Sequence, residues 1–380
     1  MLLRVPFEPH HDERIGVLEL SRIFDVTVLD FGSLLFGTRS TARTGSIPTG
    51  VTSICISDMD ELKALLARAA ASFAFDYLGT SAKENEIRQL CAHSGLRRVC
   101  RFSEGVAPAI EPPLGSRLRT IFRRGVWTTL GKKIEERFVR RHGEPVIWPM
   151  EFAVVEGNYS SAGEFQDVDR IVGNHFEYEQ YQRTSVTVNP SEEYILYLDQ
   201  DVPSHPDIRR LGLVRSTDRS EHYAGLDRLF SRLEVASGLR VVIARHPRAV
   251  SPKSVFGKRQ VYETGAADLV PRSRLVLAHW STAVALAVLW NKPLAFVTSA
   301  VLKRTVIDSW IRGPAIELAA PIIDVDRFTD DEIHALLSNR LSAEHYERYC
   351  RRFLIGDAAA RIGLWAATAA RLDELSSPSN

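Results

Sequence analysis

Apolar runs and helical periodicities alternate along the first third of the chain. "DVTVLDFG" (25–32) and "VTSICISD" (51–58) carry β-branched residues between polar stops and read as strands. "DMDELKALLARAAAS" (58–72) repeats Leu and Ala at helical spacing behind Asp58, a residue type that caps helix N-termini. "FAFDYLG" (73–79) is a strand, "SAKENEIRQLCAHSG" (81–95) a helix closed by Gly95, and "RRVCRFS" (97–103) a strand. This β-α-β-α-β order predicts a parallel sheet. "EPVIWPMEFAVVEG" (144–157) and "VDRIVGN" (168–174) supply its last strands.

After the polar, proline-bearing stretch "VTVNPSEE" (186–193) the rhythm restarts. "YILYLDQD" (194–201), "LRVVIARHP" (239–247), "RLVLAHW" (274–280) and "PLAFVT" (293–298) read as strands. "EHYAGLDRLFSRLEVASG" (221–238) and "STAVALAVLW" (281–290) are helical, followed by "TDDEIHALLSN" (329–339) and a helical tail from Ser342. The expected fold is therefore α/β, with two doubly wound Rossmann-like domains over residues 1–185 and 192–345 and a helical tail over 346–380. Between them, Leu118, Phe122, Val126, Leu130, Ile134 and Phe138 recur every fourth residue within a basic stretch, 116–141. That stretch holds nine Lys/Arg against two Glu. It reads as a solvated basic helix face or as a docking segment for an anionic membrane surface.

Composition narrows the class. A chain of 380 residues, 45% hydrophobic and 25% charged, is globular and long enough for two domains. The net charge of +1 gives no general case for nucleic acid. The four cysteines form no CxxC pair and no metal spacing with histidine, which fits a reducing compartment. The N-terminal residues lack the apolar core of a signal peptide, and no uncharged run approaches the ~20 residues of a membrane span. The expectation is a cytoplasmic protein, with the basic segment as its one route to the inner face of the plasma membrane.

In open α/β sheets, ligands bind beyond the carboxyl ends of the strands. Three strands of the second half deliver chemistry there. The first brings Asp199 and Asp201, with His205 close behind. The second brings Arg245, His246, Pro247 and Arg248, a cluster that no core accommodates. The third brings His279 and Trp280, then Ser281 and Thr282 at the head of an apolar helix, where Ser281 is expected to act as N-cap. Unpaired N–H groups and the helix dipole favour an anion at such a position. On a shared rim, the histidine and arginines would face the same phosphate. Taken singly, each feature also has a plainer reading as a cap or surface turn.

"ARHPRA" followed by "RLVLAHWSTAVALAVLWNKPLAFVTS" resembles the nucleotide-binding half of GT-B glycosyltransferases of bacterial surface polysaccharides. The pair of His-Pro and Ser/Thr motifs is similar to that of the sialyltransferases, polysialyltransferases and Kdo transferases, and also to that of teichoic-acid polymerases. "YILYLDQDVPSHPD" and "IVGNHFEYEQYQ" (171–182) resemble the segments that open the C-terminal and close the N-terminal domain of such enzymes. The resemblance covers residues 170 to 300; before residue 165 it is architectural only. It implies that His246 contacts the donor phosphate and assists the leaving group, and that Ser281 and Thr282 bind that phosphate. It implies a CMP-activated acidic sugar as donor, a surface glycan or lipid-linked glycan as acceptor, and no metal or other cofactor.

The family's acidic D/E-D/E-G motif is met only by Glu156-Gly157, with Val155 in place of the first acid. Glu156, Asp199 and Asp201 thus compete as the catalytic carboxylate, as general base or as nucleophile. Glu263 is a candidate for the ribose hydroxyls. "DQD" also fits the DxD metal pattern of GT-A enzymes, which two α/β units with phosphate-binding strand ends do not need. The rival functions are a CDP-alcohol-dependent glycerol- or ribitol-phosphate transferase and a degenerate, non-catalytic nucleotide-binding partner.

Overall fold

The computed structural model describes residues 1–9, 11–37, 46–68, 72–103, 148–157, 168–184, 193–202, 204–205, 208, 214, 218–263, 265–338, 342–356 and 363–377. The basic segment 116–141 lies outside these residues. The chain divides into two units: the first holds described residues 1–103, 148–174 and 356–377, the second 175–355.

The first unit is built on seven parallel strands: β1 (Leu2–Leu3), β2 (Val26–Asp30), β3 (Val51–Cys55), β4 (Phe73–Tyr77), β5 (Arg97–Ser103), β6 (Met150–Glu156) and β7 (Arg170–Gly173). Their order is β3-β2-β1-β4-β5-β6-β7, so the winding reverses between β1 and β4. On one face, Leu2, Leu29, Ala74 and Trp148 pack with Leu62 and Leu66 of helix Met59–Leu66 and Ile87 of helix Ala82–His93. Asp58 caps the first of these helices as expected, accepting from Asp60 N at 3.0 Å and Glu61 N at 2.8 Å. The second helix opens with a capping box between Ser81 and Glu84.

The opposite face is covered by helix Leu364–Ser376, whose Leu364, Trp365, Ala369 and Leu372 join Leu3, Val17, Val28 and Phe152 in one core. Residues 346–380 are therefore not one tail. Helix Ala343–Tyr349 and the turn to Leu354 belong to the second unit, and Leu364–Ser376 closes the first.

Six parallel strands make the second sheet: β8 (Tyr194–Leu198), β9 (Val241–Ala244), β10 (Gln260–Tyr262), β11 (Ser273–Ala278), β12 (Leu294–Thr298) and β13 (Ile322–Asp324). Their order, β10-β9-β8-β11-β12-β13, repeats the plan of the first sheet, with its switch between β8 and β11. Every residue of β8, β9 and β12 is buried, as the uninterrupted apolar runs require of strands covered on both faces. Helix Asp218–Ser237 packs Leu226, Leu229, Phe230 and Leu233 against Ile195, Tyr197, Val241 and Ile243.

Gly16 fixes how the closing helix docks. Its φ is +72°, and a Cβ there would lie 2.1 Å from Cδ2 of Trp365. Gly37 also has a positive φ, 64°, but nothing stands within 4 Å of a Cβ. Gly37→Ala is expected to cost about 1 kcal/mol of backbone strain. Gly16→Ala must also displace an indole, at about 2 kcal/mol or more beyond that strain. Paired urea denaturation curves check the difference; equal losses would show that the Trp365 contact is not what Gly16 protects.

Candidate active site

Register sets the site. Leu198 pairs with Ala244 on one side and with Ala278 on the other, so β9, β8 and β11 end in one row at the switch point. Neighbouring strands lie about 4.8 Å apart, so the three loops that follow start within about 10 Å of each other. Asp199, Arg245 and His279 are the first residues of those loops, and Asp199 N donates to Ala244 O at 2.9 Å. The structure thus brings together the three strand-end clusters singled out in the sequence, all within the second unit.

Their side chains do different things. Arg245 turns back into its own loop: its guanidinium meets both oxygens of Glu263, at 3.1 and 3.0 Å, and the carbonyls of Ala249 and Ser251. Glu263, half-exposed, is shared with Lys253 at 2.8 Å, and these two cations hold its carboxyl below the usual range. Arg245 and Glu263 therefore form one ion-paired brace. His246 is half-buried, with Pro247 exposed in the turn beyond it. Its Nδ1 accepts from Arg248 N at 3.1 Å, so the neutral ring carries its proton on Nε2. The ring of His205 meets it edge-on, with centroids 4.8 Å apart at 76°.

His279 does not present its ring at the rim. It is fully buried, with Nδ1 2.7 Å from Val297 O and Nε2 2.8 Å from Tyr197 Oη. The carbonyl can only accept, so Nδ1 bears the proton and the tyrosine donates to Nε2. Ser281 is likewise not the N-cap: the helix runs from Val284 to Leu289 with Ala283 as cap. Ser281 Oγ accepts from Ala283 N at 3.2 Å and its carbonyl from Val284 N at 3.1 Å, and this turn delays the helix by three residues. Ser281 and Thr282 stand in that turn, beyond the end of β11. Trp280 beside them packs edge-on against Trp310, 5.7 Å between centroids.

The carboxylates also separate. Glu156, at the end of β6 in the first unit, is buried and ion-paired to Arg101. Asp201 is fully buried among donors from Tyr223, Val250 and Ser251. Asp199 is 4% exposed and accepts from Asp201 N at 2.9 Å. Burial pushes its carboxyl up to about 7, assisted by the Asp201 charge and opposed by backbone amides and Arg245. Tyr223, Ser251 and His222 have no local signature in the sequence and were not foreseen.

No family model and no curated protein matches the chain. Among solved structures it is similar to the spinosyn forosaminyltransferase SpnP, at 15% identity and a TM-score of 0.50 over 98% of this chain and 99% of that one. It is also similar to the glycotransferase of kitacinnamycin, at 12% identity and a TM-score of 0.52 over the same shares. The chain shares their fold. Two consecutive doubly wound units, the GT-B plan expected from the sequence, are thereby matched over nearly the whole length; at such identities the likeness extends to the fold alone. Among the described residues no helix is long and apolar enough to cross a membrane.

The buried rings dictate a pH response. Burial pushes His222 down to about 3 and His279 to about 4, against 6.5 for a solvated imidazole. The unfolded chain therefore takes up protons below pH 6.5 that the folded one refuses, and their stabilising contribution is lost as pH falls toward 4. Asp199 acts in the opposite sense: its raised value costs stability above pH 7, and protonation relieves that cost below it. Asp199→Asn is expected to raise the melting temperature at pH 8 and to lose that advantage below pH 5, while wild type melts progressively lower beneath pH 6.5. A melting series from pH 4 to 9 tests both signs.

Proposed function

We propose that the chain is a glycosyltransferase that binds a nucleotide sugar at the carboxyl rim of the second sheet. One observation carries this reading: three strands end in register at the switch point, so the loops that carry Asp199, His246, Ser281 and Thr282 start side by side. The names of the two similar structures support the same class of reaction.

In this reading His246 Nε2–H and the hydroxyls of Ser281 and Thr282 meet the donor phosphate. Pro247 stiffens the turn that carries the imidazole, and Arg248 adds positive charge beside it. The bond between the anomeric carbon and the phosphate oxygen breaks, its electron pair leaves with the nucleotide, and the acceptor hydroxyl bonds to that carbon. Preorganised donors aimed at the growing phosphate charge supply much of the rate in such transfers. The acceptor's proton goes to Asp199, whose value near 7 suits a base at neutral pH. Glu156 and Asp201 are already committed to their partners. We assign the donor to the CMP-linked acidic sugars, such as Kdo or sialic acid, on the His-Pro and Ser/Thr motifs. The acceptor is a bacterial surface glycan or glycolipid, reached at the inner membrane face, and the reaction needs no metal.

Thermal stabilisation of wild type and His246→Ala by CMP, CDP, UDP, GDP and ADP tests the reading. At a hundred times its dissociation constant a ligand stabilises by about 2.7 kcal/mol. Cytidine nucleotides should shift wild type, and the variant should bind them about tenfold to a hundredfold more weakly, the value of one charge-assisted bond. A response to UDP or GDP alone would remove the CMP-sugar assignment. No response to any of the five would remove the donor site.

A further inference from the structure

Asp199 and Asp201 leave the same strand two residues apart, and the structure treats them oppositely. Asp199 accepts from the backbone amides of Gln200 and Asp201, and no side-chain donor among the described residues reaches it. Asp201 accepts at Oδ2 from Val250 N at 2.7 Å and Ser251 N at 3.2 Å. At Oδ1 it accepts from Tyr223 Oη at 2.9 Å and from the Ser251 hydroxyl. Four donors satisfy this fully buried carboxylate, and among the described residues no cation pairs with it.

Asp201 also grips from its backbone. Its carbonyl accepts from Ser204 N at 2.8 Å and His205 N at 2.6 Å, and the His205 ring lies against that of His246. The loop after β9 is thus held at residues 250 and 251 by the carboxylate, while its imidazole leans on a ring that the same residue's carbonyl positions. Arg245 closes the loop from the other side through Ala249 O and Ser251 O. All this requires a φ of +45° at Asp201, a left-handed conformation that aspartate, asparagine and glycine tolerate better than other residues.

We propose that Asp201 is a positioning residue, a buried latch that holds the 246–251 loop and through it the His246 imidazole at the switch point, leaving Asp199 as the strand-end carboxyl that meets substrate. The consequence for catalysis rests on the nucleotide-sugar reading; the latch itself does not.

Two substitutions separate a latch from a catalytic charge. Asp201→Gly keeps the positive φ and removes all four acceptor contacts. Asp201→Asn keeps the φ, offers its carbonyl oxygen to the two amides, and turns its NH2 toward hydroxyls that can rotate to accept. Hydrogen exchange at Val250 and Ser251 and the nitrogen resonances of His246 are read in the full chain. In Asp201→Gly the two amides should exchange at least tenfold faster, with β9 amides unchanged, and His246 should show both tautomers as the Arg248 N–H bond loosens. In Asp201→Asn both readouts and nucleotide affinity should stay within about threefold of wild type. If Asp201→Gly does not fold, Ser251→Ala with Tyr223→Phe is read in its place: it strips Oδ1 of its donors while the two amides keep Oδ2. The less firmly held carboxylate should speed exchange of both amides by less than the glycine variant would, about threefold, no change counting against the latch. Loop exchange and tautomer unchanged in the glycine variant, or asparagine as damaging as glycine, would overturn the latch. If the latch readouts behave as stated but wild type binds none of the five nucleotides, the latch stands and the nucleotide-sugar reading falls.

Discussion

Parallel pairing of β8 with both of its neighbours is the constraint on which the rest of the site depends. Because Leu198 faces Ala244 and Ala278 in the same register, the backbone leaves the sheet at three adjacent points and at one level. Residues 46 and 80 positions apart in the chain become neighbours without any side-chain contact being needed to bring them together. A slip of one residue in either ladder would also exchange the two faces of a strand buried on both sides. The apolar runs that make these strands costly to slip therefore also keep the polar loops aligned.

Electrostatics then sorts what the register has gathered. Two guanidiniums and an imidazole at one strand tip would repel each other and any core, but Arg245 is neutralised by Glu263 and spent on carbonyls of its own loop. His279 is drawn inward, where the Tyr197 hydroxyl and the Val297 carbonyl satisfy both nitrogens of a neutral ring. What stays beyond the strand end is His246, with a defined tautomer, followed by Arg248. The cluster in "ARHPRA" thus resolves into a structural cation and a presented imidazole, which residue type alone does not distinguish.

Much of the fold was legible because its strands are long apolar runs and its helices carry caps, as Asp58 and Ser81 show. The first strand, beside the switch point of the first sheet, was not: Leu2–Leu3 is two residues long and runs straight into Arg4 and Pro6, too short for any period to register. The three-residue edge strands Gln260–Tyr262 and Ile322–Asp324 escaped for the same reason. At the site, sequence placed Asp199, His246 and Ser281 at strand ends, since those follow directly from the runs before them. It could not supply the direction of the His279 ring, the delayed start of the helix at Val284, or the Tyr223 and Ser251 partners of Asp201. The His279 partners lie 82 and 18 residues away and those of Asp201 22 and 50, spans to which local pattern is blind, while the helix start is shifted by the Ser281 turn itself.

The helix Leu364–Ser376 packs into the core of the first unit although the whole second unit precedes it in the chain. During synthesis the β1–β7 sheet must therefore wait, with Val28, Phe75 and Phe152 not yet covered by that helix, until nearly 200 further residues have been made. At about 5–20 residues per second that is an interval of some tens of seconds. The unit that begins first is thus the one that finishes last, and until then its open apolar face is a target for chaperones and for aggregation.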